Sequence, residues 1–135
     1  MRSRMNKACT LVEILIVVVI LGILAAIVVP QFTNATQDAQ AGNLKAQIKS
    51  LQNQIELYKA RTNSYPDLVT NQWADLTAGN YIKDVPKNPA APSGVQSTIG
   101  NAAAATCGWV WDSTTGTLSA TYFDESTGQI TPTTP

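Results

Sequence analysis

From Leu11 to Val29 the chain runs for 19 residues in which Glu13 is the only charge and Gly22, Ala25 and Ala26 are the only small residues. That length suffices to span a hydrocarbon core of about 30 Å at about 1.5 Å rise per residue. Ahead of it, Met1 to Ala8 carries Arg2, Arg4 and Lys7 and no acid, so the positive-inside rule keeps this end in the cytoplasm and points the far end of the helix outward. An ordinary secretory signal has an apolar stretch of only about 7–15 residues followed by a small-x-small cleavage site, and Pro30-Gln31-Phe32 offers none. Cys9 precedes the apolar run instead of following it, which argues against a lipoprotein signal. A lone carboxylate at the threshold of a membrane helix is costly and needs a reason. The bland alternative is a plain signal anchor with Glu13 near the lipid interface.

The string Lys7-Ala8-Cys9-Thr10-Leu11-Val12-Glu13, with its short basic leader and uninterrupted apolar continuation, resembles the class III signal of type IV pilins and type II secretion pseudopilins. The resemblance implies cleavage by a prepilin peptidase between Ala8 and Cys9, methylation of the new N-terminus at Cys9, and Glu13 as the fifth residue of the mature chain. The family usually places Gly before the cut and Phe after it. Ala8 is still small, and the atom methylated is a backbone nitrogen. Cleavage creates an α-amino group with a reference pKa of about 7.7–8.0, positively charged at neutral pH. Glu13 then lies beside an opposite charge at its own helix N-terminus and can also meet the amine of a neighbouring copy, favouring an axial stagger of about 6 Å. An unpaired carboxylate in apolar surroundings costs several kcal/mol, so Glu13 is expected to set the register of packed helices.

Pro30 would leave the carbonyl of Ala26 without its helical partner, and Gly22 is a second weak point; family members carry Gly and Pro at these distances, and both positions are expected to lend flexibility. Between Thr33 and Arg61 there is no proline, and Leu44, Ile48, Leu51, Ile55 and Tyr58 recur at steps of four and three, the apolar stripe of an amphipathic helix. The stripe is too short for a long coiled coil and is expected to dock on the C-terminal domain. One helix from about Cys9 to Arg61 should end at Thr62-Asn63-Ser64-Tyr65-Pro66. The Tyr65-Pro66 junction and the Tyr81 to Pro89 segment resemble the major pseudopilin, with Asn88 where Asp usually stands.

The organisation expected is a leader (1–8), a transmembrane and assembly half-helix (9–32), an amphipathic half-helix (33–62) and a small soluble domain (63–135). Trp73, Leu76, Tyr81 and Ile82 suggest a short helix or turn over the stripe. Residues 90–105, rich in Ala, Gly, Ser and Pro, read as a flexible loop, with Ala102 to Ala105 open to a helical turn. Trp111-Asp112-Ser113-Thr114-Thr115-Gly116 is echoed by Phe123-Asp124-Glu125-Ser126-Thr127-Gly128, two Asp-started, Gly-closed turns that predict antiparallel strands near 107–112, 117–123 and 128–132. Trp109, Trp111, Leu118 and Tyr122 are the candidates to cover the helix. The fold class is thus α+β: a long N-terminal helix packed on a small three-stranded antiparallel C-terminal sheet, the pilin-like fold. The small sheet cannot bury enough apolar area to be stable alone, and the helix stripe is the other half of its core.

The sequence contains no His, which excludes His-based catalysis and His metal sites, and no enzyme is expected. Cys9 and Cys107 are too far apart along the helix to bond within one chain and are read as free thiols, with an intermolecular bridge as the alternative. No cofactor is expected. The resemblance raises Ca²⁺ bound in a loop of the C-terminal sheet, with Asp112, Asp124 and Glu125 as weak candidates, although Asp at such turns is expected for backbone capping alone. Loss of the leader leaves six basic and nine acidic residues, a formal charge of −3, and no basic patch suited to nucleic acid.

The function implied is that of a structural subunit of a helical filament assembled from the bacterial inner membrane, most simply a type II secretion pseudopilin supporting protein export. A type IV pilin for adhesion, motility or DNA uptake is the near alternative, and an uncleaved membrane-anchored binding module the distant one. Partners implied are further copies and minor subunits, the prepilin peptidase, the inner-membrane assembly platform and, before assembly, membrane lipid. The N-terminus would be cytoplasmic and the C-terminal domain periplasmic or, in a pilus, at the cell surface.

Overall fold

The computed structural model describes residues 10–131, with the side chains of residues 30–34 outside the description. Ala8, Cys9 and the Pro30 side chain therefore lie outside the described residues. The elements are α1 (Leu11–Thr62), α2 (Ala74–Ala78), β1 (Ile99–Gly100), β2 (Trp109–Asp112), β3 (Thr117–Ala120), β4 (Phe123–Asp124) and β5 (Gln129–Ile130). The chain divides into two compact units, Met1–Thr36 and Gln37–Pro135. The second begins a little later than the change of character expected at residue 33.

In the first unit the apolar run Leu11–Val29 is helical with a mean hydropathy of 3.3, long and apolar enough to cross a membrane. Its large hydrophobic side chains are all exposed, from 42% at Val28 to 84% at Leu11. Gly22 has open space where a side chain would stand.

The second unit is built around the predicted stripe. Leu44, Ile48, Leu51 and Ile55 are buried, and Tyr58 packs on the edge of the same core. Ala41 extends the stripe one turn earlier. The helix ends where Asn63 takes a left-handed conformation (φ 63°) and its N–H donates to Lys59 O at 2.8 Å. Asn tolerates that conformation better than most residues. Tyr65 then folds back on the helix. Its hydroxyl donates to Glu56 (3.2 Å), its ring lies 3.9 Å from Lys59 Nζ, and it meets Trp111 edge-on at 5.7 Å. Gly116 (φ 71°) makes this possible, since a Cβ there would strike the Tyr65 ring. As expected, a short helix, α2, places Leu76 in the core.

The sheet departs from the expected three antiparallel strands. β2 and β3 pair antiparallel, with Trp111 opposite Leu118 and Trp109 opposite Ala120, but the third strand is β1, which joins β2 in parallel. β1 lies inside the segment read as a loop, and across Ala102–Ala105 the chain bends at Ala102, is irregular at the next two residues and starts a turn at Ala105, with no helical turn. The strand expected at 117–123 stops at Ala120. The Thr121 N–H still bonds Gly108 O in the register of the ladder (3.1 Å), and the left-handed Tyr122 (φ 59°) then turns the chain out of it. Beyond Tyr122, β4 and β5 form a separate two-stranded hairpin in place of a third antiparallel strand at 128–132. Alternation survives in β2, where Trp109 and Trp111 face inward. Their indole N–H groups are buried without partners, a cost of about 1–3 kcal/mol each that the packing of both rings has to exceed. Trp109 meets Trp73 edge-to-face at 5.8 Å.

Three side-chain amides fasten this small sheet. Gln52 donates to Gly116 O (2.6 Å) and accepts from Leu118 N–H (3.0 Å), tying the helix to the β2–β3 turn. Gln72 makes the same paired contact with Ile99, donating to its carbonyl (3.0 Å) and accepting from its N–H (2.7 Å). Asn88 is completely buried; its Nδ2 donates to Gly108 O (2.7 Å) and Thr121 O (2.8 Å), and its Oδ1 accepts from Ala90 N–H (2.8 Å).

Candidate functional site

Two features carry the functional reading: the polar start of the apolar helix and the pair of Asp turns in the soluble unit. At the first, Thr10 and Glu13 cap the helix reciprocally. The Glu13 N–H donates to Thr10 Oγ1 at 3.3 Å, and the Thr10 N–H donates to Glu13 Oε2 at 3.4 Å. A helix start leaves four N–H groups without partners, and this capping box satisfies two of them while setting the carboxylate against the positive end of the helix dipole. Glu13 is exposed, beside apolar side chains that are exposed as well. Thr10 is not among the residues singled out from the sequence, though the spacing Thr-x-x-Glu before an apolar run is the signature of such a box. The residues of the expected cleavage junction, Ala8 and Cys9, are outside the described residues.

The second feature is the repeat. Asp112 Oδ1 accepts from Thr114 N–H (2.8 Å) and Thr115 N–H (3.3 Å), and its Oδ2 accepts from the Thr115 hydroxyl (2.8 Å). Asp124 Oδ1 accepts from the Ser126 hydroxyl (2.6 Å), Ser126 N–H (2.9 Å) and Thr127 N–H (3.4 Å). The two turns are therefore one device used twice, each closed by a left-handed glycine, Gly116 or Gly128. Hydrogen bonds to the charged form lower a carboxylate's pKa. The Thr115 hydroxyl, followed by the Thr114 N–H, holds Asp112 below its ordinary value. Ser126 and Thr127 hold Asp124 down to about 2.

Calcium needs about six to eight converging oxygens. Asp112 and Asp124 are instead turned onto their own loops, and among the described residues no three His, Cys, Asp or Glu side chains gather to hold a metal ion. Cys107 is a buried free thiol near the carbonyls of Ala102 and Ala104, with 3.5 Å to each.

Gln52 and Asn88 position the soluble unit, yet neither carries a sequence signal for that role. No local pattern marks them, because their partners lie 64 and 66 residues away for Gln52, and 20 and 33 away for Asn88.

Residues 3–29 match the prokaryotic N-terminal methylation motif. The chain is 33% identical over 103 residues to type II secretion system core protein G of Aeromonas hydrophila, covering 66% of this chain and 71% of the relative. It is 34% identical over 99 residues to the protein of the same name from Vibrio cholerae, covering 65% and 68%. The match to that of Pseudomonas aeruginosa is shorter, 42% over 66 residues and about half of each chain (49% and 46%). No solved structure matches. A methylation motif leading into an exposed apolar helix, and similarity that runs on into the soluble unit, have one common explanation: the chain belongs to the family of type II secretion system core protein G.

Proposed function

We propose that this chain is the structural, non-enzymatic subunit of a pseudopilus that supports protein export. A prepilin peptidase removes residues 1–8 and methylates the Cys9 nitrogen, and copies then leave the inner membrane by packing their apolar helices together. The observation that carries this reading is the methylation motif at residues 3–29 joined to an apolar helix whose side chains have no cover of their own.

Each apolar side chain exposed on Leu11–Val29 is satisfied by lipid before assembly and by neighbouring helices after it. Lipid and protein are about equally apolar to a Leu or Val, so burial alone cannot choose the register of the packed helices. Glu13 supplies the choice. Against the α-amine of a neighbouring copy its carboxylate is paired, and one residue out of register it is an unpaired charge costing several kcal/mol. The Thr10 cap holds that carboxylate at the helix start until the partner amine arrives.

The proposed partners are copies of the chain and minor subunits, the prepilin peptidase, the inner-membrane assembly platform and lipid. The proposed topology puts the N-terminus in the cytoplasm and the soluble unit in the periplasm. Intact mass of the membrane-extracted protein tests the reading. The expected species lacks Met1 to Ala8 and carries one added methyl group, whereas a full-length, unmethylated chain would overturn it.

A further inference from the structure

The C-terminal end of α1 leaves one asparagine open to chemistry by its own backbone. Asn63 and Ser64 are both exposed. The Asn63 N–H is spent on Lys59 O, and the Thr62 hydroxyl holds the carbonyl of Ser64 at 2.9 Å. The Asn63 side-chain amide and the Ser64 N–H, by contrast, make no hydrogen bond among the described residues. These two groups are a carbonyl electrophile and a nitrogen nucleophile, spaced to close a five-membered ring. The hydroxyl of Ser64 withdraws electrons from its own amide and makes that N–H more acidic, and its short side chain leaves the nitrogen accessible.

The other asparagines of the described residues lack at least one of these conditions. Asn34, Asn43 and Asn53 lie inside α1, where the following N–H is held in the helical ladder. Asn71 Nδ2 donates to both oxygens of Asp75, at 3.1 and 3.3 Å. After Asn80, which is also left-handed, the Tyr81 N–H donates to Leu76 O at 2.9 Å. Asn88 is buried and precedes Pro89, which has no N–H to attack with. Asn101 precedes Ala102, which brings no hydroxyl.

We propose that Asn63 is a self-modification site, where the chain converts a side-chain amide to an acid with water as the only co-reactant. The Ser64 nitrogen gives its proton to solvent and bonds to Cγ of Asn63. The Cγ–Nδ2 bond breaks, and the nitrogen takes a proton from solvent and leaves as ammonia, closing a cyclic imide. Water then opens the imide at either carbonyl. One opening gives aspartate, and the other gives isoaspartate, whose backbone runs through Cγ. Aspartate tolerates the left-handed conformation but puts a negative charge at the negative end of the α1 dipole. Isoaspartate lengthens the backbone by a methylene just before Tyr65. That ring is fixed at once by Glu56, Lys59 and Trp111, and it fills the space beside Gly116. Conversion therefore loosens the Tyr65 contact between the helix and the β2–β3 turn, and the soluble unit weakens with age.

The full-length chain, extracted in detergent, is incubated at mildly alkaline pH in heavy-oxygen water and read by peptide mass spectrometry. Label should enter at residue 63 ahead of every other asparagine, as separately eluting aspartate and isoaspartate peptides. The thermal unfolding midpoint should fall as label accumulates. Asn63→Gly keeps the left-handed turn without an amide, so its midpoint should hold steady over the same incubation. Ser64→Val crowds the attacking nitrogen and should slow labelling at Asn63 while leaving Asn101 unchanged. No label at residue 63, label arriving first at Asn101 or Asn71, or a Ser64→Val chain labelled as fast as the parent would overturn the site. A midpoint that stays constant in the labelled parent, or falls equally in Asn63→Gly, would overturn the consequence for Tyr65.

Discussion

The two units use the same residue types to opposite ends. Leucines, isoleucines and valines of residues 11–29 are all at least 42% exposed, whereas Leu44, Leu51 and Ile55 are at most 5% exposed. Hydrophobicity alone does not separate them; the distribution around the helix does. In the soluble unit the apolar positions form one stripe, and Trp109, Trp111, Leu118 and Leu76 cover it. In the N-terminal unit they occupy every side, so no single domain could cover them, and their complement has to be a membrane or other helices. The first unit is unfinished in one chain and the second is complete in it.

The sharpest test of that completeness is Asn88. Asn88→Asp would set a buried carboxylate against the two carbonyl oxygens that now accept from Nδ2, with a cost of about 3–5 kcal/mol for an uncompensated charge. Burial raises the folded-state pKa of such an acid above its unfolded value of about 3.9, so the loss should be full at neutral pH and recede as pH falls towards 4. Thermal melting at pH 7 and pH 4 reads both effects; a variant as stable as the parent at pH 7 would show that the buried amide is dispensable. Next in size, Ile55→Ala should destabilise the soluble unit by about 2–5 kcal/mol, while Leu15→Ala should leave its unfolding midpoint unchanged. Equal effects from the two would erase the distinction between a covered and an uncovered apolar side chain.

The smallest expected effect concerns the Asp turns. The folded-state pKa of Asp124, about 2, lies below its unfolded value, so its stabilising contribution is present above about pH 4 and is lost as pH falls through 2. Carboxyl resonances tracked by NMR should give a midpoint near 2 for Asp124. Ser126→Ala should raise it; an unchanged midpoint would remove the hydroxyl as its main cause.

How much of this is legible in the sequence depends on how local each signal is. The stripe from Leu44 to Tyr58 and the end of the helix at Asn63 depend on spacing and turn chemistry within a few residues, and both stand where expected. Ala41 gives no such warning, because a small residue is weak evidence of a buried face. The Thr10 cap is legible from its spacing to Glu13 alone, although the apolar run beside it dominates the reading. The strand break at Tyr122 is not legible, since a left-handed aromatic residue has no sequence signature. β1 is two residues long and reaches its partner in parallel, so neither alternation nor a hairpin turn could announce it. Asn88 stands out in the sequence only as a departure from a familiar pattern, and its buried amide bridge depends on the closed tertiary structure.

The side-chain amide of Gln72 occupies the outward N–H and C=O of Ile99, the hydrogen-bonding pair that an edge strand would otherwise offer to any extended backbone. In a filament, identical soluble units are crowded side by side for as long as the polymer lasts. An open strand edge under those conditions is a template for sheet addition and irreversible fibre growth. With that edge stoppered by one glutamine, the backbone pair at Ile99 is closed to sheet addition by a neighbour.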